Sequence, residues 1–155
     1  MRALAVTPHY AALIIAGYKT IEVRSKPIKK IKERVAVYST LHKPTALEMS
    51  ILQETMGDLV RAGPYTPEER NDVIKLINSA PRGCILGTVE IVDSKLVGSD
   101  LYFDTYTPEH LAPDYYKEDK TYFWELKRPV KFETPIPIKW PSTGSWAQVE
   151  LPEGY

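Results

Sequence analysis

The sequence predicts one mixed α/β (α+β) domain over residues 1–155, in which several short strands build a small, strongly curved β structure around two or three helices. Three observations predict it. Short apolar or alternating runs recur at 3–6, 20–24, 34–40, 84–92, 121–126 and 145–151. Segments with helical spacing lie between them, two of them opened by a Thr-Pro pair, Thr7-Pro8 and Thr66-Pro67. No internal repeat, linker or low-complexity block divides the chain. Its 155 residues, 43% of them hydrophobic, are enough to bury a core without staples.

Taken in order, Ala3 to Val6 is a short strand. Thr7 then caps a helix over Pro8 to Ala16, with Ala11, Ile14 and Ile15 on its apolar face and His9 and Tyr10 in its first turn. His9 reads as solvated, with a cleft position as the alternative. After a strand at 20–24, Ser25 to Lys32 is a basic loop. In the strand Arg34 to Thr40, Val35, Val37 and Ser39 share one face, and Ala36, Tyr38 and Thr40 the other. Pro44 to Met56 has helical spacing, and Gly57 ends or interrupts it. Met49 and Met56 read as core filler. A loop over 61–65 leads to the clearest helix start, Thr66-Pro67-Glu68-Glu69, whose buried stripe is Val73, Ile74 and Ile77 and which stops near Ala80.

Cys84 to Val92 is the strongest strand, with Ile85, Val89 and Ile91 on one face and Leu86 and Val92 on the other. Gly87 marks a bulge or a close backbone approach. The stretch 94–106 reads as mixed, with Tyr102, Phe103 and Tyr106 as aromatic surface. Thr107-Pro108-Glu109 opens one helical turn, and 113–120 is a polar loop. Thr121 to Leu126 is a strand. Pro135 and Pro137 make 130–138 an edge or a connection. Residues 145–151 form the closing strand.

Lys plus Arg and Asp plus Glu both number 20, so global charge gives no reason to expect a polyanionic partner. Local charge does: Lys26, Lys29, Lys30, Lys32 and Arg34 face only Glu33 within their run. Such a basic edge could touch phosphate or be a solvated loop. Cys84, the single cysteine, reads as an inert core thiol. With no signal-like opening and no run of 18 apolar residues, a soluble cytoplasmic protein without a membrane partner is expected. No acidic or thiolate spacing suits a metal, so neither metal nor other cofactor is expected.

The stretch that carries chemistry is Gly17-Tyr18-Lys19-Thr20-Ile21-Glu22-Val23-Arg24. Gly17 can cap the preceding helix in a left-handed conformation. Beyond it, Ile21 and Val23 point one way while Thr20, Glu22 and Arg24 point the other. Three long ionisable side chains, Lys19, Glu22 and Arg24, could therefore gather at one helix-to-strand junction. They would form either a solvated surface with a weak salt bridge or the wall of a cleft.

The pattern Gly17-x-Lys19-Thr20-x-Glu22-x-Arg24 resembles the signature of ASCH domains, a branch of the PUA-like superfamily. The likeness extends over most of the chain. Pro8 with Leu13-Ile14 is similar to the family's first helix, and 34–40 to the strand after the signature. Gly83 to Glu90 resembles its Gly-x-x-x-Gly-x-Val strand, Tyr122 to Leu126 a later aromatic strand, and Gly144-Ser145-Trp146 the closing element. The resemblance implies a PUA-like β-barrel with the first helix beside a cleft, and the helices within 44–80 as an insertion. It also implies handling of RNA or modified nucleosides, with Lys19 as the catalytic or ligand-binding lysine. Some small relatives resemble N4-acetylcytidine amidohydrolases, whose pattern has a threonine three residues after that lysine. Glu22 stands there in this chain, and Glu109 is the one downstream candidate for their catalytic glutamate.

Two functions follow as expectations. The first is binding of single-stranded RNA, a nucleotide or a modified nucleoside. Lys19, Arg24 and Lys26 would meet phosphate, Trp124 or Trp146 would stack on a base unless packed in the core, and Glu22, Ser39 or Thr40 would bond a base or sugar edge. The hydroxyls of Ser39 and Thr40 could equally cap a turn. The second is metal-independent hydrolysis of RNA or of an acylated nucleoside such as N4-acetylcytidine, with Lys19, Glu22 and Arg24 as the catalytic group. A protein-interaction role through exposed apolar residues of the inserted helices is a third possibility; a particular protein partner is not legible.

Overall fold

A computed structural model describes residues 1–113 and 120–155. The loop expected over 113–120 lies almost wholly outside the described residues. Strand β1 (Arg2–Val6) leads through Thr7 into helix α1 (Pro8–Ile15), followed by β2 (Ile21–Arg24) and β3 (Glu33–Ser39). Helices α2 (Ala46–Ala62) and α3 (Pro67–Asn78) come next, then the long strand β4 (Cys84–Leu96). Short helices α4 (Asp100–Thr105) and α5 (Thr107–His110) precede β5 (Tyr122–Pro137) and β6 (Trp146–Gln148).

The strands form one six-stranded sheet in the order β2-β5-β4-β3-β1-β6. Strands β1 and β3 run parallel; the other neighbours are antiparallel. The expected barrel is not formed. The sheet is open, with β2 and β6 as its free edges rather than partners. The edge strands are four and three residues long. Across the gap, a side chain rather than a backbone ladder makes the link: Arg24 Nη2 donates to the Ala5 carbonyl of β1 at 3.0 Å.

Both faces of the sheet are covered. On one, Leu4, Val35, Val37, Leu86, Val89, Ile91, Trp124 and Leu126 pack under α1. Leu13 of α1 continues into a second core with Leu52, Met56, Val73 and Ile77 from α2 and α3. On the other face, Ala36, Tyr38, Ile85 and Phe132 pack together, and Trp140 stacks on Tyr38 at 4.5 Å between ring centres.

Several local expectations change. Helix α2 runs through Gly57 to a left-handed Gly63, and it starts with a capping box between Thr45 and Glu48. Interior glycine costs a helix only about 1 kcal/mol, which burial of Leu52, Met56 and Leu59 offsets. In β4 the register shifts between Ile85 and Gly87, so Leu86 joins Val89 and Ile91 while Ile85 faces away. The bulge breaks the expected alternation. Phe103 is buried, and Tyr102, Tyr106 and Phe123 pack around it rather than lining a surface. Strand β2 covers only Tyr122–Glu125 of β5, so Pro135 and Pro137 sit where one side of β5 is unpaired.

The Gly87 close approach is tight. A Cβ there would stand 2.0 Å from the Val130 carbonyl oxygen. Gly87→Ala is expected to lower stability by about 1–3 kcal/mol, the usual cost of forced overpacking, measured by urea unfolding. A variant as stable as the parent would show that β4 and β5 do not pair as described.

Candidate functional site

Local chain geometry delivers Lys19 to the sheet edge. Gly17 ends α1 at φ +87°, and the N–H groups of Tyr18 and Lys19 both donate back to the Leu13 carbonyl, at 3.0 and 3.1 Å. Thr20 then bonds Glu109 and Leu126 through its backbone at 2.9 Å each, which docks the turn against α5 and β5. Antiparallel pairing of β2 with β5 does the rest, setting Glu22 beside Trp124 and Arg24 beside Tyr122.

The result is a chain of three charges. The Lys19 side chain is only 1% exposed; its ammonium donates to the His110 carbonyl, lies 3.7 Å from Glu22 Oε1 and sits over the Tyr10 ring at 4.7 Å. Glu22 Oε2 accepts from Arg24 Nη2 at 2.7 Å and Nε at 3.1 Å, and Oε1 accepts from the Val23 N–H at 3.2 Å. The carbonyl that holds Lys19 is itself fixed. His110 Nδ1 accepts from the Ala112 N–H at 2.8 Å, which leaves the proton on Nε2 to donate to the Phe103 carbonyl at 2.9 Å.

Burial pushes the Lys19 pKa down to about 8; Arg24 acts in the same direction, and Glu22 opposes it. Burial pushes the Glu22 carboxyl up, but Arg24 and then Lys19 outweigh it and hold it below its usual range.

These groups face a cavity of about 670 Å³, lined also by Tyr10, Thr40, Lys120, Thr121 and Ser145. Residues of β2, of β1 and of the segment just before β6 (Thr143, Gly144 and Ser145) contribute, so the cavity lies in the gap that barrel closure would have filled. Thr40 Oγ1, on its wall, is buried with no hydrogen-bond partner among the described residues.

Of the residues singled out from sequence, Lys19, Glu22, Arg24 and Thr40 meet at this cavity. Ser39 does not: it is fully buried and its hydroxyl donates to the Pro81 carbonyl. Trp124 is 4% exposed within the core, and its Nε1 donates to the Lys26 carbonyl at 3.0 Å. Trp146 is half-buried beside it, with the Arg2 guanidinium 4.3 Å above its ring. Lys26 and both tryptophans border a neighbouring cavity instead. Glu109 lines a separate hollow with Tyr65 and Glu69, which Lys19 does not line. His9 is buried, not solvated, and burial lowers its pKa to about 4. Tyr10 is the residue sequence reading left without a role; its place one turn from Thr7, on the helix leading to Lys19, was the available signal. Among the described residues, no group of three or more His, Cys, Asp or Glu side chains could hold a metal ion, and no helix is long and apolar enough to cross a membrane.

The sequence matches the ASCH domain family over residues 4–136, so the chain belongs to that family. Its fold is similar to the crystal structure of an ASCH protein from Zymomonas mobilis, with a TM-score of 0.61 at 14% identity, over 96% of this chain and 87% of that one. Two single-substitution variants of the Zymomonas protein match at TM-scores of 0.58 and 0.59, with 13% and 14% identity; each match covers 96% of this chain, and 87% and 89% of theirs. No curated protein sequence matches.

Because folding lowers the Lys19 pKa to about 8 from 10.5, the native state holds fewer protons than the unfolded chain between those values. This group therefore makes stability rise with pH across that window. Glu22 acts in the acid range: its contribution is present above the ordinary value of 4.5 and is lost as pH falls. Carbon-13 NMR of the lysine Cε signals is expected to show one titration near pH 8, absent in Lys19→Met and shifted lower in Glu22→Gln. A Lys19 midpoint at the ordinary lysine value would contradict the burial described here.

Proposed function

We propose that this ASCH domain binds RNA or a nucleotide, with one nucleotide or modified nucleoside seated in the cavity at the open sheet edge. Membership of the family supports a role connected with RNA or nucleotides. One observation carries the finer reading: a fully buried ammonium faces a hollow of about 670 Å³, within the size range of small-molecule sites. Lys19 has three N–H donors. One goes to the His110 carbonyl, and Glu22 at 3.7 Å is beyond a good hydrogen bond. Donor capacity therefore remains for an oxygen of a ligand. Arg24, whose side chain is 23% exposed, is the cation placed to meet phosphate. Glu22 orients the two cations, and Thr40 Oγ1 supplies a hydroxyl for a sugar or base edge. Residues 1–155 act as one domain in this reading, with α2 and α3 as an insertion packed on Leu13 of α1.

The lowered Lys19 pKa favours a second reading, hydrolysis. At about 8 it leaves roughly a tenth of Lys19 neutral at pH 7, enough for a general base, while the protonated form can stabilise an oxyanion. Glu22 is poorly suited to that task. A carboxylate already accepting from Arg24 and Val23 is a weak base, and it is not the threonine of the amidohydrolase pattern.

The test is binding of ribonucleoside 5′-monophosphates to the parent, Lys19→Met and Arg24→Gln, with melting temperature as the folding control. Each variant is expected to bind about 10-fold or more weakly, a loss of about 1.4 kcal/mol. Parental affinity in both variants would sink the proposal. Under the hydrolytic reading, product forms with the parent and not with Lys19→Met; product that persists in Lys19→Met removes it.

A further inference from the structure

Helix α5 is a single turn, so the carbonyls at its end have no following turn to pair with. A longer helix would send the Ala112 N–H back to the Pro108 carbonyl. Here that N–H goes to His110 Nδ1 instead, at 2.8 Å. The four carbonyls from Pro108 to Leu111 are taken by groups distant in sequence. Tyr65 Oη donates to that of Pro108 at 2.8 Å, and the Thr20 N–H to that of Glu109 at 2.9 Å. The Lys19 ammonium donates to that of His110, and Tyr10 Oη to that of Leu111 at 3.3 Å. Lys19 and Tyr10 both line the candidate cavity, so two adjacent carbonyls set two of its walls.

The turn that aims these carbonyls is held under strain. Leu111 has φ +53°, a left-handed conformation uncommon for any residue but glycine. Such a conformation persists only where its surroundings over-determine it. Two features do so here. The Leu111 side chain is buried against the second core with Leu13 and Leu52. The His110–Ala112 bond closes the backbone across Leu111, a side-chain turn that competes with helix continuation. The His110 ring is itself fixed: it is fully buried, Nε2 donates to the Phe103 carbonyl at 2.9 Å, and the Phe103 and Phe123 rings lie 4.2 and 5.4 Å away. His110 does not line the cavity.

We infer that His110 is a positioning residue for this cavity: its imidazole ends α5 and turns the carbonyls of residues 110 and 111 to hold Lys19 and Tyr10 in place before a ligand arrives. The effect on affinity rests on the nucleotide reading; the effect on Lys19 does not. The two ring nitrogens have different tasks. The Nδ1 bond closes the turn that carries the carbonyls, while the Nε2 bond ties the ring to α4. Fixing two side chains in advance removes part of the ordering cost of binding.

The experiment separates the two nitrogens. In His110→Asn the amide oxygen falls near the place of Nδ1 and can still accept from Ala112. In His110→Gln the amide reaches towards Phe103 and the turn loses its short acceptor. Each variant gives up one buried hydrogen bond, so a loss of stability in urea unfolding is expected of both. His110→Asn should keep the Lys19 Cε titration near pH 8. In His110→Gln the ammonium leaves its buried place for water, and Lys19 should titrate about one pH unit higher. Ribonucleoside 5′-monophosphates should bind His110→Asn within about 2-fold of the parent and His110→Gln about 10-fold more weakly. His110→Leu fills the space between the phenyl rings without either bond; it should behave as His110→Gln does, and replaces it if that variant does not fold. Equal effects of the asparagine and the loss variants, or a Lys19 midpoint unmoved by the loss variants, overturn the inference. So does a parent imidazole whose nitrogen-15 shifts place the proton on Nδ1. If the parent binds no monophosphate, the nucleotide reading fails, and the Lys19 midpoints still decide whether His110 positions that ammonium.

Discussion

Glu22 is the constraint on which the site depends. A carboxylate 5% exposed at a sheet edge persists only if its charge is answered, because removing an ion from water costs several kcal/mol even after relaxation. Arg24 answers it from two residues along the same strand face, and Lys19 from the turn before it. The pairing also ties together distant parts of the chain. Arg24 reaches the Ala5 carbonyl of β1, and Lys19 reaches the carbonyl of His110, the last residue of α5. Three neighbours in sequence thus clamp β1, β2 and α5 around one hollow. Buried polar networks of this kind are costly when partly satisfied, so the arrangement specifies a single geometry.

The same clamp explains why the sheet stays open. A barrel would pair β2 with β6 and place a backbone ladder where the cavity now lies. Instead the edge strands stop after a few residues, and charged side chains line the gap. Lys19 and Arg24 also differ in what they offer a ligand. One is a buried, weakened cation over the Tyr10 ring; the other is partly exposed and shared with the lysine-lined hollow next to it. A nucleotide unit with a phosphate attached suits that gradient from enclosed to open, which makes binding the stronger reading and catalysis by Lys19 the addition it permits.

Much of this was legible in the chain before folding. The Gly17 cap, the alternation of Glu22 and Arg24 and the Thr66-Pro67-x-Glu69 start follow from local rules, and all three appear as read. What was not legible depended on tertiary neighbours. Ser39 and Thr40 read as equals, yet the Pro81 carbonyl engages one hydroxyl and the other reaches the cavity. Trp124 is a plausible base platform by residue type, but pairing of β2 with β5 puts it in the core. The bulge at Gly87 exchanged the faces of Ile85 and Leu86, which strict alternation cannot foresee. Tyr102, Phe103 and Tyr106 became a small core because α4 folds back onto Phe123. The lysine run was visible as charge alone; only the fold places it beside Arg24.

The most direct measurement of the central claim is a nitrogen-15 and carbon-13 NMR titration of the labelled protein with a ribonucleoside 5′-monophosphate, read at side-chain signals. The account predicts that the largest changes fall on Lys19, Arg24, Thr40 and Tyr10 together, saturating with one affinity. Changes confined to the hollow around Tyr65 and Glu109, or none at Lys19 and Arg24 at saturating nucleotide, would contradict it.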